Sequence, residues 1–190
     1  ILDRLNIVNI FALSIKSKLV NRGYSLSGLS HYWTNFFIKS ENNNWMVPFH
    51  RDEFAPLNTN DTLLPDFLSD ETIKEGRRYA KVSESILLEM IAVRVSLDNC
   101  DIENGPLRLI PGSHRGEIDN SNAINCIVNK CGCLIMCPNI LHSSGKSKSG
   151  RMRRVLHFTY GPSKYDKYFN FSNANNVQQV DAPELASPAR

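Results

Sequence analysis

Apolar residues at Leu5, Val8, Phe11, Ile15 and Leu19 recur at three- and four-residue steps, which predicts a helix over residues 1–20. Asp3, Arg4 and Asn9 interrupt that opening, so it reads as a buried or amphipathic helix and not as a secretion signal. Beyond it the chain changes to short apolar runs. "NFFIK" (35–39) and "WMVPF" (45–49) flank the polar turn "SENNN" and read as strands. Residues 55–80 are polar, hold Pro56, Pro65 and Gly76 and keep no period; the expectation is an irregular lid or substrate-facing loop. "SESILLEM" (83–90) predicts one short helix capped by Ser83. Further strands are expected within 90–97, 106–112, 124–128, 132–137 and 154–160, separated by turns rich in Asn, Asp, Gly and Pro. Many short strands at close spacing predict a mainly β domain, a sandwich or jelly roll, with flanking helices. It is expected to span residues 1–170. Residues 171–190 are polar without a period and are expected to form a disordered or extended tail.

Composition narrows the class of partner. A chain of 190 residues supports one domain with a sizeable core, and 42% hydrophobic with 22% charged residues is ordinary for a globular protein. A net charge of +3 is too small to imply nucleic acid as a partner. No apolar run reaches the roughly 18 residues of a membrane span. The chain begins with Ile rather than Met, which leaves room for residues upstream. "SKL" at 17–19 is internal, so it is no peroxisomal address. Five cysteines (Cys100, Cys126, Cys131, Cys133 and Cys137) without a secretion signal imply free thiols and a cytoplasmic location. The cluster "CIVNKCGCLIMC" has short thiolate spacing that zinc could use. The simpler reading is an apolar strand in which Cys133, Ile135 and Cys137 alternate with Leu134 and Met136. Two glycosylation sequons, at Asn60 and Asn170, matter only in a secreted protein.

The chemistry starts at "PFHRDEF". In a strand, His50 and Asp52 project to one face and can reach one ion together, while Arg51 points away. His142, at the end of "GCLIMCPNILH", is the candidate third ligand. Two His and one carboxylate leave three adjacent positions open on an octahedral ion, as in non-haem Fe(II) oxygenases. His-x-Asp alone is a weak signal. "HSSGKSKSGRMRRVLHFTY" then enters a strand carrying Arg151, Arg153 and Arg154. A guanidinium fork buried near the metal would bind a distal carboxylate bidentately. Lys146 and Lys148 read as part of a solvated turn.

His-x-Asp, "LDNCDIENGPLRLIPGSHRG" and "LHSSG…RMRRVLHFTY", in this order, resemble the phytanoyl-CoA dioxygenase family of Fe(II)/2-oxoglutarate oxygenases. The similarity is greatest to its bacterial small-molecule branch and covers residues 35 to 162. The "NGPL…PGSH" block is its most specific part. The resemblance implies a double-stranded β-helix (a cupin-like jelly roll) with iron held by His50, Asp52 and His142. It assigns the 2-oxoglutarate arginine, eleven positions after the distal His, to Arg153, and its hydroxyl partner to Ser144. It also implies O2 as co-substrate and release of succinate and CO2. Members that halogenate lack the carboxylate ligand, so Asp52 implies hydroxylation, with desaturation or cyclisation as alternatives.

One departure stands out. Where many members carry Trp, "AVRVSLDN" has Arg94, in the series Ala92, Arg94, Ser96 opposite Val93, Val95 and Leu97. If Val93, Val95 and Leu97 pack in the core, Arg94 faces outward; if its own series faces the barrel mouth, Arg94 is a buried charge that needs an anion, and a substrate carboxylate is the candidate. Lys39 is a second candidate of the same type. His157 reads as a packed core histidine, His114 as part of a turn after Gly112, and His31 has no supporting context. Asn104 and Gly105 read as a tight turn. The expected function is oxidation of a small-molecule metabolite or biosynthetic intermediate. Its rivals are a cupin-like metal enzyme that does not use 2-oxoglutarate and a non-catalytic binding protein on the same scaffold. Oligomeric state is not legible.

Overall fold

The computed structural model describes residues 2–74, 76–116, 122–169 and 177–180, with the backbone alone for 2–9 and 177–180. Helix α1 (Leu2–Val20) is followed by strands β1 (Leu29–Lys39), β2 (Val47–His50), β3 (Phe54–Pro56), β4 (Leu68–Lys74) and β5 (Arg77–Val82). After the one-turn helix α2 (Glu84–Leu87) come β6 (Ile91–Ser96), β7 (Leu107–Leu109), β8 (Ile124–Cys126), β9 (Cys133–Met136), β10 (His142–Ser144) and β11 (Arg153–Pro162). Helix α3 (Asp166–Phe169) and strand β12 (Val177–Val180) complete the described chain.

Two sheets form the barrel. The major sheet has the order β12-β1-β11-β6-β9 and the minor sheet the order β2-β10-β7-β8. This is the expected mainly β, double-stranded β-helix architecture. Both faces of the major sheet are covered, which is why β6 is buried at nearly every position. One face packs Val93, Val95, Phe158 and Tyr160 against Ala12 and Leu19 of α1. Tyr160 also donates its hydroxyl proton to the Ala12 carbonyl at 2.8 Å, so the helix is pinned by a polar bond as well as by packing. Phe11, Ile15 and Leu19 follow the expected helical stripe; the side chains of Leu5 and Val8 lie outside the described set. The other face turns Ala92, Arg94 and Ser96 inward, where Ala92 and Met136 meet Leu107, Leu109 and Ile140.

The segment expected to be an irregular loop over 55–80 is largely a third sheet, of order β3-β5-β4. Its buried face is built from Ala55, Leu57, Leu68, Ala80 and Val82, packed with Leu87, Met90 and Phe169. Small apolar residues give a weak alternation signal. The outer positions carry Glu71 with Arg78 and Glu53 with Lys81, pairs that make the stretch look like polar loop. The short helix lies where expected, but Ser83 makes no capping bond; its hydroxyl meets that of Ser85 at 3.1 Å.

Within the expected tail, Val177–Val180 is extended and pairs in parallel with β1, Val177 opposite Thr34 and Val180 opposite Phe37. Residues 171–176 and 181–190, the remainder of that expectation, and the sequon at Asn170 lie outside the described residues. Cys133 faces solvent rather than the core, while Cys137 is half-buried, its thiol directed at the Leu87 carbonyl. All five cysteines are free.

Candidate active site

His50 ends β2 and His142 begins β10, and the two are direct cross-strand partners, with ring centroids 4.3 Å apart. Asp52 follows β2 with its amide nitrogen donating to the Pro138 carbonyl at 3.0 Å, which ties the turn to the β9–β10 connection. Behind His142, the Leu141 amide donates to Ser113 Oγ at 2.8 Å and the Ile110 amide to the Leu141 carbonyl at 3.0 Å. The "IPGSH" turn therefore supports the strand that carries His142. Its own His114 faces a different task, accepting through its carbonyl from Asn139.

The donor atoms converge. His50 Nε2 lies 3.3 Å from Asp52 Oδ1, and His142 Nε2 lies 3.6 Å from Asp52 Oδ2. Among the described residues these three form the one group of three or more potential metal ligands, with donor atoms all within 4.8 Å. Both rings are held in the same way: Nδ1 of His50 lies 2.9 Å from the Pro48 carbonyl, and Nδ1 of His142 lies 2.9 Å from the Ile140 carbonyl. A carbonyl only accepts, so each Nδ1 carries the proton and each Nε2 presents its lone pair to the shared point. Burial pushes His142 down, which keeps it neutral and able to ligate. Burial pushes the Asp52 carboxyl up, but the His142 and His50 rings outweigh it and hold it well below the usual carboxylate range. His142 is buried, whereas His50 and Asp52 are about one-third exposed, so the cluster is open on one side. Arg51 points away, its guanidinium donating to the Asn139 carbonyl.

A cavity of about 50 Å³ runs from this cluster past Phe37, Trp45 and Arg94 to Ser144 and Arg153. At its far end Lys39 of β1 and Arg153 of β11 are direct partners, both essentially fully buried. Lys39 donates to Ser144 Oγ at 2.9 Å and to the Gly145 carbonyl, and stands 4.5 Å over the Trp45 ring. Arg153 donates to the Gly105 carbonyl and to Ser144 Oγ at 3.3 Å. Among the described residues its Nε and Nη2 have no hydrogen-bond partner. Burial, reinforced by Arg153 and Arg94, pushes Lys39 down to about 7. Among the described residues no carboxylate stands between these two opposed buried cations, an arrangement whose charge suits an anion.

The neighbouring arginines are used elsewhere. Arg154 holds Asp98 at 2.8 and 2.9 Å, and Arg151 holds Asp101 at 2.8 and 2.9 Å. Alternation along β11 turns Arg153 inward and Arg154 outward, while Arg151 lies before the strand and pairs at the surface. Lys146 and Lys148 are exposed, as a solvated turn requires. His31 bonds locally to Thr34 at 2.9 Å.

Arg94 is buried inside the barrel, its guanidinium carbon 5.0 Å over Phe37 and its Nη1 2.8 Å from His157 Nδ1. His157 is packed in the interior, but its link to Arg94 and its place beside Asp52 escaped sequence reasoning. The signal was available: on a strand, position 157 shares a face with 153.

The sequence over residues 9–155 matches the family model described as Phytanoyl-CoA dioxygenase (PhyH). No curated protein matches significantly. Among solved structures, HygX from Streptomyces hygroscopicus, determined with iron bound, is 16% identical with a TM-score of 0.52. That match covers 81% of this chain and 67% of HygX. EvdO2 from Micromonospora carbonacea var. aurantiaca is 15% identical with a TM-score of 0.53, covering 78% of this chain and 58% of EvdO2. The non-heme monooxygenase ThoJ, as a nickel complex, is 18% identical with a TM-score of 0.50, covering 70% of this chain and 44% of ThoJ. The chain spans about half the length of such proteins, and these likenesses show the fold. Combined with the family match over three quarters of the sequence, they support one assignment: the chain belongs to the phytanoyl-CoA dioxygenase family.

Proposed function

We propose that this chain is an Fe(II)/2-oxoglutarate-dependent oxygenase that oxidises a small molecule, with His50, Asp52 and His142 as the iron ligands. The observation that carries the reading is the fixed orientation of both imidazoles, whose Nδ1 protons are committed to backbone carbonyls. A set of two imidazoles and one carboxylate, open on one side, suits Fe(II) with room for further ligands. Bound iron would supply activation of O2, coupled to decarboxylation of 2-oxoglutarate to succinate and CO2. The chain's own part is binding and orientation. Arg153, through its free Nε and Nη2, would grip the distal carboxylate of 2-oxoglutarate, with Lys39 as a second cation and Ser144 Oγ shared between them. Phe37 and Trp45 would keep water from the length of the cosubstrate. Retention of Asp52 supports hydroxylation as the outcome. The catalytic unit is taken as residues 1–170, with the β12 strand added at its edge. Five free cysteines fit a reducing, cytoplasmic setting.

Anaerobic titration with Fe(II) and 2-oxoglutarate tests the reading. A weak visible charge-transfer band is expected, together with succinate release on admitting air. Absence of the band in the wild type would count for the rival readings, a binding protein or a metal enzyme that does not use 2-oxoglutarate.

A further inference from the structure

Arg94 and His157 are direct cross-strand partners on β6 and β11, and both side chains are more than nine-tenths buried. The 2.8 Å contact between Arg94 Nη1 and His157 Nδ1 fixes the imidazole tautomer. A guanidinium has only donors, so the ring nitrogen facing it must carry the lone pair. With Nδ1 accepting, the ring is the neutral imidazole and not the imidazolium. Its single proton therefore resides on Nε2. Arg94 lines the cavity that leads to Arg153 and not the next one, whereas His157 lines the next one and not the first. The imidazole is thus the wall between two chambers, and its Nε2 side meets the second. That second chamber, about 60 Å³, is bounded by Trp33, Asn35, Leu87, Met90 and Thr159, with Asp52 on its rim.

Charge identifies what such a donor would meet. If the cosubstrate is bound as proposed, iron and dianionic 2-oxoglutarate cancel. Lys39, Arg94 and Arg153 then face Asp52 as the one interior carboxylate among the described residues. A buried excess of positive charge favours an anionic guest. The chamber walls, apart from Asn35, Asp52, His157 and Thr159, are apolar or aromatic and suit a hydrocarbon or aryl body.

We propose that His157 Nε2–H, held in place by Arg94, is the hydrogen-bond donor that orients the substrate, and that the substrate is a small carboxylic acid whose carboxylate docks there. The inference rests on the oxygenase reading above. Arg94 acts as a positioning residue that fixes the tautomer and adds charge.

The test uses the anaerobic protein with Fe(II) and 2-oxoglutarate, each variant at concentrations that saturate its own charge-transfer band. Straight-chain acids from propanoate to octanoate, together with phenylacetate, are titrated beside their primary amides, and displacement of the band is read. At least one acid is expected to bind tenfold or more tightly than its amide. That preference should fall to less than threefold in His157→Phe and in Arg94→Met, and return in part in Arg94→Lys, which keeps a donor to Nδ1. Nitrogen-15 shifts of the His157 ring should show protonated Nε2 in the wild type and a mixed tautomer in Arg94→Met, a readout that packing alone would not move. If no acid outcompetes its amide, or if the preference survives both substitutions, the proposal is overturned. A wild type without the band overturns the oxygenase reading instead, so the two failures are distinct.

Discussion

Replacing Arg153 with Met should stabilise the ligand-free protein and remove its stabilisation by 2-oxoglutarate. In the ligand-free state the guanidinium is 1% exposed, its Nε and Nη2 have no partner, and Lys39 stands opposite. Each buried, unsatisfied donor costs about 1–3 kcal/mol. Exchange of a buried charge for an apolar side chain of similar volume is commonly neutral or stabilising by about 1–4 kcal/mol. The Gly105 carbonyl keeps a donor in Ser144 Oγ at 3.2 Å, and Ser144 keeps Lys39, so the substitution strands no acceptor. At about 2–4 °C per kcal/mol for a domain of this size, the ligand-free melting temperature should rise by roughly 2–15 °C. The opposite holds with ligand. Loss of one partner from a buried charged pair costs about 2–5 kcal/mol, so 2-oxoglutarate should bind roughly thirty- to several-thousand-fold more weakly. Calorimetric melting under anaerobic conditions with Mn(II), with and without 2-oxoglutarate, measures both halves. A Met variant that melts well below the wild type and still gains the full ligand-induced shift would refute the claim that Arg153 is an unsatisfied receptor.

Asp52→Ala removes the one carboxylate of the cluster and should weaken Fe(II) binding at least tenfold, measured by competition with a chromogenic chelator; unchanged affinity would refute its role as a ligand. Lys39, pushed down to about 7, must be protonated to hold an anion. The dissociation constant for 2-oxoglutarate should therefore rise by up to about tenfold per pH unit above pH 7, and Lys39→Met should flatten that dependence in titrations from pH 6 to 9. The same depression means that the unfolded chain binds the extra proton between pH 7 and about 10.4, so ligand-free stability from this residue grows with pH across that window. Gly105→Ala should cost about 1–3 kcal/mol in denaturant melts. Its φ is +68° and a Cβ there would collide with the Gly145 carbonyl oxygen, an acceptor for Lys39, so 2-oxoglutarate affinity should fall as well.

The parts of the fold read most easily from the sequence are those whose chemistry is local. His50 and Asp52 stand two apart, at the end of β2 and just beyond it, and the spacing from His142 to Arg153 spans a single turn and strand. The β6 and β11 runs are apolar enough to be read directly, and α1 shows its stripe. What escaped depends on pairing between distant segments. The β3–β5 sheet hides its buried face behind Ala55 and Ala80, while Glu71 and Arg78 neutralise each other only once folded. Lys39 stands beside Arg153 through the register of β1 on β11, and no one-dimensional pattern encodes that register. The same holds for His157, whose donor face depends on Arg94 63 residues away.

The parallel pairing of β12 on β1 bears on solubility. Without it β1, eleven residues long and carrying Phe36 and Phe37, would be the open margin of the major sheet. A long, flat margin with unpaired backbone groups is a template for another chain, and proteins guard such margins against self-association. The polar carboxyl-terminal residues, easily dismissed as dispensable, thus include a guard strand. A protein shortened at residue 170 would keep its metal ligands and lose the cover that keeps one copy from pairing with the next.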